Sequence, residues 1–396
     1  MKNMKKILAV MLAAAMVFAF TGCGSKDDSS DNSSDNSSTS NDTAGGEKVF
    51  TIGGVGPLTG SAASYGNSVK QGAQIAIDEI NAAGGVTVGD TTYKLDMQFE
   101  DDEASEEKSP QAYNTLMDKG VNAIMGGVTS GASIAISDLT AADGILQITP
   151  SGSAEDCIAN DNAFRICFSD PEQGIAMADY AVNTLGLKKI AVIYNASDEY
   201  STGIQAAFEE EVAALGGTII ASEAFNKDDV DFNTQLTKIK GTDAEAIYVP
   251  AYYQDATYIT KQAKDMGIDV QFLGSDGWDG VLGTVTDETT VEGCVFTSPF
   301  CASVDADNVV AFVEAYEAAY NAIPDQFAAD GYDTVYTYKA AMEKAGSIES
   351  EDLIAAMTDI TVNGLTGDEI TFEASGAAVK NVKFVTVKDG GYVYTE

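Results

Sequence analysis

Several short turns carry the side chains able to grip a small charged solute. In Gly126-Gly127-Val128-Thr129-Ser130-Gly131-Ala132-Ser133 an apolar run gives way to small residues and hydroxyls where a helical pattern begins. A helix N-terminus presents unpaired N–H groups and a partial positive charge, so Ser130 can help hold a carboxylate or simply cap the helix. Thr149-Pro150-Ser151-Gly152-Ser153 repeats the arrangement after the next apolar run, before a helix-like stretch starting near Ala154. Two such neighbouring turns would converge on one anion. Further on, Tyr200, then Tyr252-Tyr253, then Asp276 in Gly274-Ser275-Asp276-Gly277-Trp278-Asp279 each follow another apolar run. One half of the chain thus offers amides and hydroxyls for a carboxylate, and the other an acid with π-faces for an ammonium. That pairing suits an α-amino acid zwitterion. Asp276 beside Gly277 is equally a turn former, and Trp278, the only tryptophan, is equally a packing residue.

Other chemistries are disfavoured by composition. The chain has no histidine, which removes Ser-His-Asp triads, Cys-His pairs and most zinc sites. P-loop, GxSxG and CxxC patterns are also missing, so an enzyme is not expected and neither a cofactor nor a metal is called for. Gly54-Val55-Gly56-Pro57-Leu58-Thr59-Gly60 spaces its glycines as GxGxxxG with a proline inside. A dinucleotide fingerprint wants an acid about 20 residues beyond, closing the second strand; here that strand closes later, on Glu100-Asp101-Asp102. A packing turn is the better reading. The Asp228, Asp229, Asp231, Asn233 run lacks the glycine and closing glutamate of a calcium loop and reads as a solvated acidic turn. With 22 Lys+Arg against 61 Asp+Glu, the formal charge of −39 repels phosphate backbones, so nucleic acid is not a partner.

The elements that must position these turns alternate between strand and helix patterns. Phe50 to Val55 reads as a strand, Ser64 to Ala83 as a helix, Tyr93 to Phe99 as a strand and Gln111 to Lys119 as a helix. A strand at 121–125, a helix at 131–142 and a strand at 145–148 continue the series. After Asp170-Pro171 a second series follows: helices at 172–185, 203–215, 232–239 and 256–266 alternate with strands at 189–194, 218–222, 246–249 and 270–273. Val309 to Ala345 is helical with a break at Ile323-Pro324, and Val382 to Val387 is a last strand. In 396 residues this makes two doubly wound α/β lobes, with ligands expected outside the carboxyl ends of the strands.

The front of the chain is an address. Lys2, Lys5 and Lys6 precede the apolar run Ile7 to Phe20, too short to span a bilayer but suited to a signal peptide. It ends in Phe20-Thr21-Gly22-Cys23, which resembles a bacterial lipobox; Cys23 would be lipidated after removal of residues 1–22, tethering the protein to the outer face of the cell membrane. Gly24 to Glu47 is almost wholly Ser, Asp, Asn, Thr and Gly, and reads as a disordered tether within residues 23–48. Cys157, Cys167, Cys294 and Cys301 remain, either bridged as 157/167 and 294/301 or all free.

Taken together, GPLTGSAASYG, a helix ending INAAGGV, IMGGVTSGAS, GILQITPSGS, SDEYSTG and FLGSDGWDG resemble, in order and spacing, the leucine/isoleucine/valine-binding protein family. These are the type I extracellular solute-binding proteins of branched-chain amino acid ABC importers. The resemblance implies a Venus-flytrap of two three-layer α/β lobes joined by a hinge. Lobe 1 would be residues 49–169 and 299–370, lobe 2 residues 170–298 and 371–396, with crossings near 169–170, 298–300 and 370. Carried over by position, Ser130 and Ser153 would bind the ligand carboxylate. The Ser151 carbonyl would accept from the ammonium, Asp276 would neutralise it, and Tyr65, Tyr200 and Tyr252 would line the cleft with Trp278 nearby. It also implies a monomer that delivers its amino acid to membrane permease subunits. The family member best known for leucine has Glu in place of Asp276 and Thr in place of Ser153, and its disulfide is not reproduced here. Relatives also bind aromatic amino acids, amides, urea and other small acids, and a sensor module of the same fold would carry the same features.

Overall fold

The computed structural model describes residues 48–395; the signal-like leader, Cys23 and most of the tether lie outside the described residues. The first lobe begins with β1 (Lys48–Gly56), α1 (Ala63–Ala82), β2 (Val86–Val88), β3 (Thr91–Asp101), α2 (Ser109–Asp118), β4 (Ala123–Gly126), α3 (Ser130–Asp143), β5 (Gln147–Thr149) and β6 (Ala163–Arg165). Its six-stranded sheet runs β2-β3-β1-β4-β5-β6, parallel except for the antiparallel edge strand β2. β1 lies between β3 and β4, so successive crossovers leave it in opposite directions. A crevice opens there at the carboxyl ends of the strands, where the Ser130 turn begins.

The second lobe follows with α4 (Asp170–Asp179), β7 (Lys189–Asn195), α5 (Glu199–Ala214), β8 (Thr218–Phe225), α6 (Asn233–Lys240), β9 (Ala246–Val249), α7 (Tyr253–Asp265), β10 (Gln271–Gly274) and β11 (Val295–Thr297). After it α8 (Asp307–Tyr320), α9 (Gln326–Ala345) and α10 (Ser350–Ala356) pack with α1 and the first sheet. A small hairpin, β12 (Thr371–Phe372) with β13 (Ala378–Val379), precedes β14 (Phe384–Lys388) and β15 (Gly391–Tyr394). The second sheet runs β15-β14-β11-β10-β9-β7-β8; the strands from β11 to β8 are parallel, and β14 and β15 are antiparallel additions. Both sheets carry apolar strands such as Ala246–Val249, buried throughout, as a sheet covered on both faces requires.

Three expectations change. The stretch from Ala154 forms only a short 3-10 turn, Glu155–Ile158, because Asn160-Asp161-Asn162 turns the chain at once into β6. Strand β14 is not the last: Asp389 and Gly390 both take positive φ (52° and 74°), the geometry of a tight hairpin turn, and return the chain as β15. Three helices of the second series, α4, α5 and α7, begin earlier than their apolar spacing suggests. Ser169 and Glu172 form a reciprocal capping box that starts α4 at Asp170, and α5 and α7 start early enough that Tyr200 and Tyr253 lie in their first turns.

One close contact bears on the site. Helices α1 and α9 cross so tightly that a Cβ on Gly72 would stand 1.8 Å from the Ala328 carbonyl oxygen, and one on Gly331 would stand 2.3 Å from that of Val69. Glycine at this crossing lets Tyr65 on α1 and Phe327 on α9 meet, with ring centroids 4.1 Å apart. The cysteines Cys157, Cys167, Cys294 and Cys301 are all free and buried.

Candidate functional site between the lobes

The two hydroxyl turns of the first lobe are stitched to each other. Ser151 Oγ donates to the Val128 carbonyl (2.6 Å), and Thr149 Oγ1 to that of Gly127 (2.7 Å). Gln147 Nε2, at the start of β5, donates to the Gly126 carbonyl at 3.0 Å. Ser130 opens α3 and its hydroxyl accepts from the amides of Ser153 (3.1 Å) and Ala154 (3.2 Å). Ser153 Oγ is buried and has no hydrogen-bond partner among the described residues.

The acidic turn of the second lobe begins where β10 ends. Asp276 is buried; its Oδ1 lies 2.5 Å from the Tyr200 hydroxyl, which in turn accepts from the Gly277 amide at 2.8 Å. The Asp276 amide donates to Gln173 Oε1 (3.0 Å), which also accepts from Thr297 Oγ1 (2.8 Å). Burial pushes the Asp276 carboxyl up to about 6, against hydrogen bonding from Tyr200 that favours its charged form. Burial also raises the Tyr65, Tyr200 and Tyr252 hydroxyls, so all three stay protonated donors.

Tyr65 ties the halves together. Its hydroxyl donates to the Gly277 carbonyl and accepts from the Tyr253 amide at 3.1 Å. Tyr252 stands edge-on to Tyr65 (5.5 Å) and stacks on Tyr200 (5.1 Å). The result is a cavity of about 10 Å³ lined by Tyr65, Ser130, Ser151, Tyr200, Tyr252 and Asp276, together with Val128, Thr129, Gly277 and Phe327. That is room for about one water, so a solute the size of an amino acid can enter only if the lobes part.

Six of the sequence-derived residues therefore meet at one cavity, and two do not line it. Ser153 sits behind Ser130, offering its amide to that hydroxyl. Trp278 is fully buried in the second lobe, its Nε1 donating to the Val249 carbonyl at 2.8 Å and its ring packed on Gly274. Phe327 supplies aromatic wall that was not expected, and Gln173 the brace behind Asp276. Val128 and Thr129 sat inside the Ser130 motif; Phe327 had only the nearby Ile323-Pro324 break as a signal.

The glycine-rich turn after β1 is filled from within. Asp101 Oδ1 accepts from the Leu58 amide (2.9 Å) and Asp101 Oδ2 from Thr59 Oγ1 (2.6 Å), so the chain's own carboxylate occupies donors that a phosphate would need. Closer to solvent, a second cleft of about 190 Å³ shares Thr129 and Tyr252 with the cavity. Glu106 faces it from the first lobe, and Asp198, Lys227, Asp228, Asp229 and Asp255 from the second. Lys227 Nζ reaches across to the Ala104 carbonyl at 3.4 Å. Burial, with neighbouring carboxylates adding to it, pushes Asp198 and Asp255 each up to about 7. In the acidic run, Asp229 and Asp231 accept from the amides of Asn226 and Asn233, the pattern of capped turns.

With this geometry, the model of the periplasmic binding protein family matches residues 49–392. The chain belongs to that family. Among curated periplasmic binding proteins it is 31% identical to Leu/Ile/Val-binding protein homolog 3 of Brucella melitensis over 309 residues, 77% of this chain and 82% of that one. It is 32% identical to Leu/Ile/Val-binding protein BraC3 of Rhizobium johnstonii, covering 77% and 82%. Among solved structures, the branched-chain amino acid transporter substrate binding protein LivJ of Streptococcus pneumoniae, in complex with isoleucine, superposes with a TM-score of 0.79 at 32% identity, over 88% of this chain and all of that one. The leucine binding protein LivK of Thermotoga maritima gives 0.80 at 28% identity, over 88% and 98%. This periplasmic binding protein thus sits in the branched-chain amino acid branch of the family, whose members serve ABC transporters as substrate-binding proteins.

Proposed function

We propose that this protein captures an α-amino acid, with leucine, isoleucine and valine first, between its two lobes and delivers it to the permease of an ABC importer. It acts as a binder and not as an enzyme. The observation that carries this reading is the cavity where hydroxyl turns of one lobe face a buried acid and tyrosines of the other. Ser130 would hold the carboxylate through its hydroxyl, which the Ser153 amide orients from behind; the Ser151 carbonyl and Asp276 would hold the ammonium. A bound ammonium beside Asp276 would return its carboxyl to the charged form. The walls Tyr65, Val128, Tyr252 and Phe327 are apolar enough for a branched side chain. Lobe 1, residues 49–169 and 299–370, and lobe 2, residues 170–298 and 371–396, would swing on their three crossings, with ligand completing contacts only in the closed form. Removal of residues 1–22 and lipidation of Cys23 would anchor a monomer outside the cell membrane, with residues 23–48 as tether.

The test is thermal unfolding of the protein, refolded to strip carried ligand, with each amino acid and a few amides. Ligand at 100 times its Kd adds about 2.7 kcal/mol. A rise in midpoint confined to the branched-chain amino acids supports the assignment; a flat panel from folded protein sinks it. One observation favours a second reading: the acid-lined cleft beside the cavity has room for a polar extension, and a response to amino acids with donor-bearing side chains would select it.

A further inference from the structure

Gln326 is buried, yet it does not line the cavity. It is the first residue of α9, and Asp325 caps that helix by accepting from the Ala328 amide at 3.0 Å. Asp325 also accepts from Ser68 Oγ on α1 at 2.6 Å, which anchors this helix start to the first lobe. From there Gln326 crosses to the second lobe. Its Nε2 donates to the main-chain carbonyl of Asp276 (2.6 Å), and its amide donates to Asp279 Oδ2 (2.8 Å). The two contacts bracket the Asp276–Trp278 turn at both ends, while Tyr65 holds the Gly277 carbonyl between them. A buried acceptor such as the Asp276 carbonyl loses more by being stripped of its partner than a solvated one gains by finding it. Such contacts therefore weigh most in a state where the seam is dry.

We propose that Gln326 and Asp279 form an inter-lobe latch, made when the lobes shut, that fixes the main chain of Asp276 and sets how long a ligand stays bound. Gln326 is a positioning residue, acting on the solute through Asp276. The inference rests on the reading that the solute is held between closing lobes. Parting the lobes breaks both hydrogen bonds, so the latch acts on release and leaves the encounter between solute and open cleft unaffected.

The test measures isoleucine association and release by stopped-flow fluorescence. Gln326→Ala should speed release about tenfold or more, with association no slower than in wild type. Gln326→Glu keeps the shape but loses the donor where its carboxyl ionises; its release, taken relative to wild type at the same pH, should slow as pH falls and the protonated carboxyl can donate, a rescue that mere packing would not show. Asp279→Asn retains an acceptor for the Gln326 amide and should release at nearly the wild-type rate, whereas Asp279→Ala should not. A readout without ligand comes from spin labels at Glu107→Cys and Asp231→Cys, exposed on opposite lobes. Gln326→Ala should shift their distance distribution outward. Unchanged release in Gln326→Ala, or distance distributions indistinguishable from wild type, overturns the latch. If isoleucine and the rest of the panel fail to bind wild type, the amino-acid reading fails while the label distances still judge the latch.

Discussion

The hydroxyl turns of the first lobe and the acidic turn of the second face one cavity but are held in different ways. Around Ser130 and Ser151 every named hydrogen bond starts and ends within the first lobe, on Val128, Gly127, Gly126, Ser153 or Ala154. Around Asp276 the braces come from both lobes: Gln173 and Tyr200 from its own side, Gln326 and Tyr65 from the other. On the proposed reading, one half of the grip would be built before a solute arrives and the other finished by the closing motion, which would concentrate differential affinity for the shut form at the acidic turn.

The comparison breaks most sharply at Asp276. Asp276→Ala is expected to weaken amino-acid binding by more than about 100-fold, since it strands a buried ammonium, at roughly 3–5 kcal/mol; titration calorimetry reads it directly. An equal loss in Ser130→Ala would refute the asymmetry. Next comes the helix crossing behind Tyr65 and Gln326. Gly72→Ala places a methyl against the Ala328 carbonyl and should lower stability by about 1–3 kcal/mol, seen as an earlier denaturant midpoint.

A smaller effect follows from the acid-lined mouth. With the lobes shut, Asp198 and Asp255 keep their protons up to about pH 7; apart, in water, they regain the ordinary range near 4. The closed form then binds more protons between those values, so closure and ligand affinity weaken as pH rises through 7. One such group gives about a tenfold fall in affinity between pH 6 and pH 8, less where water screens it. The double variant Asp198→Asn, Asp255→Asn should flatten the profile. Last, Ser130→Ala removes the hydroxyl that would donate to the ligand carboxylate and should cost about 1 kcal/mol, roughly fivefold in Kd, mostly as a faster release.

The same contrast explains what could be read from the chain. Apolar runs of four or more residues marked the strands, and the turns following them held Ser130, Ser151, Tyr200, Tyr252 and Asp276, all at the cavity. Strands β6 and β11, each of three residues, are too short to show an alternation. Trp278 and Phe327 show where local reading stops. Both are aromatics near strand or helix ends, and only the α1–α9 crossing decides that Phe327 faces the cavity while Trp278 turns into the second lobe's core. Gln326 carries no local signal either, because its partners come from a different sheet.

The buried cysteines have a use at the bench that concerns the other end of the chain. Apolar surroundings push Cys157 and Cys294 up to about 12 and raise Cys167 as well, so these sulfurs stay neutral and shielded while the fold is intact. Neither folding after export nor resistance to reductant depends on an oxidase pairing them. Unfolded in iodoacetamide, mature protein takes up four carbamidomethyl groups if the Cys23 sulfur already carries lipid, and five if it is free. Mass spectrometry of one alkylated sample thus reports on the anchor through residues far from it.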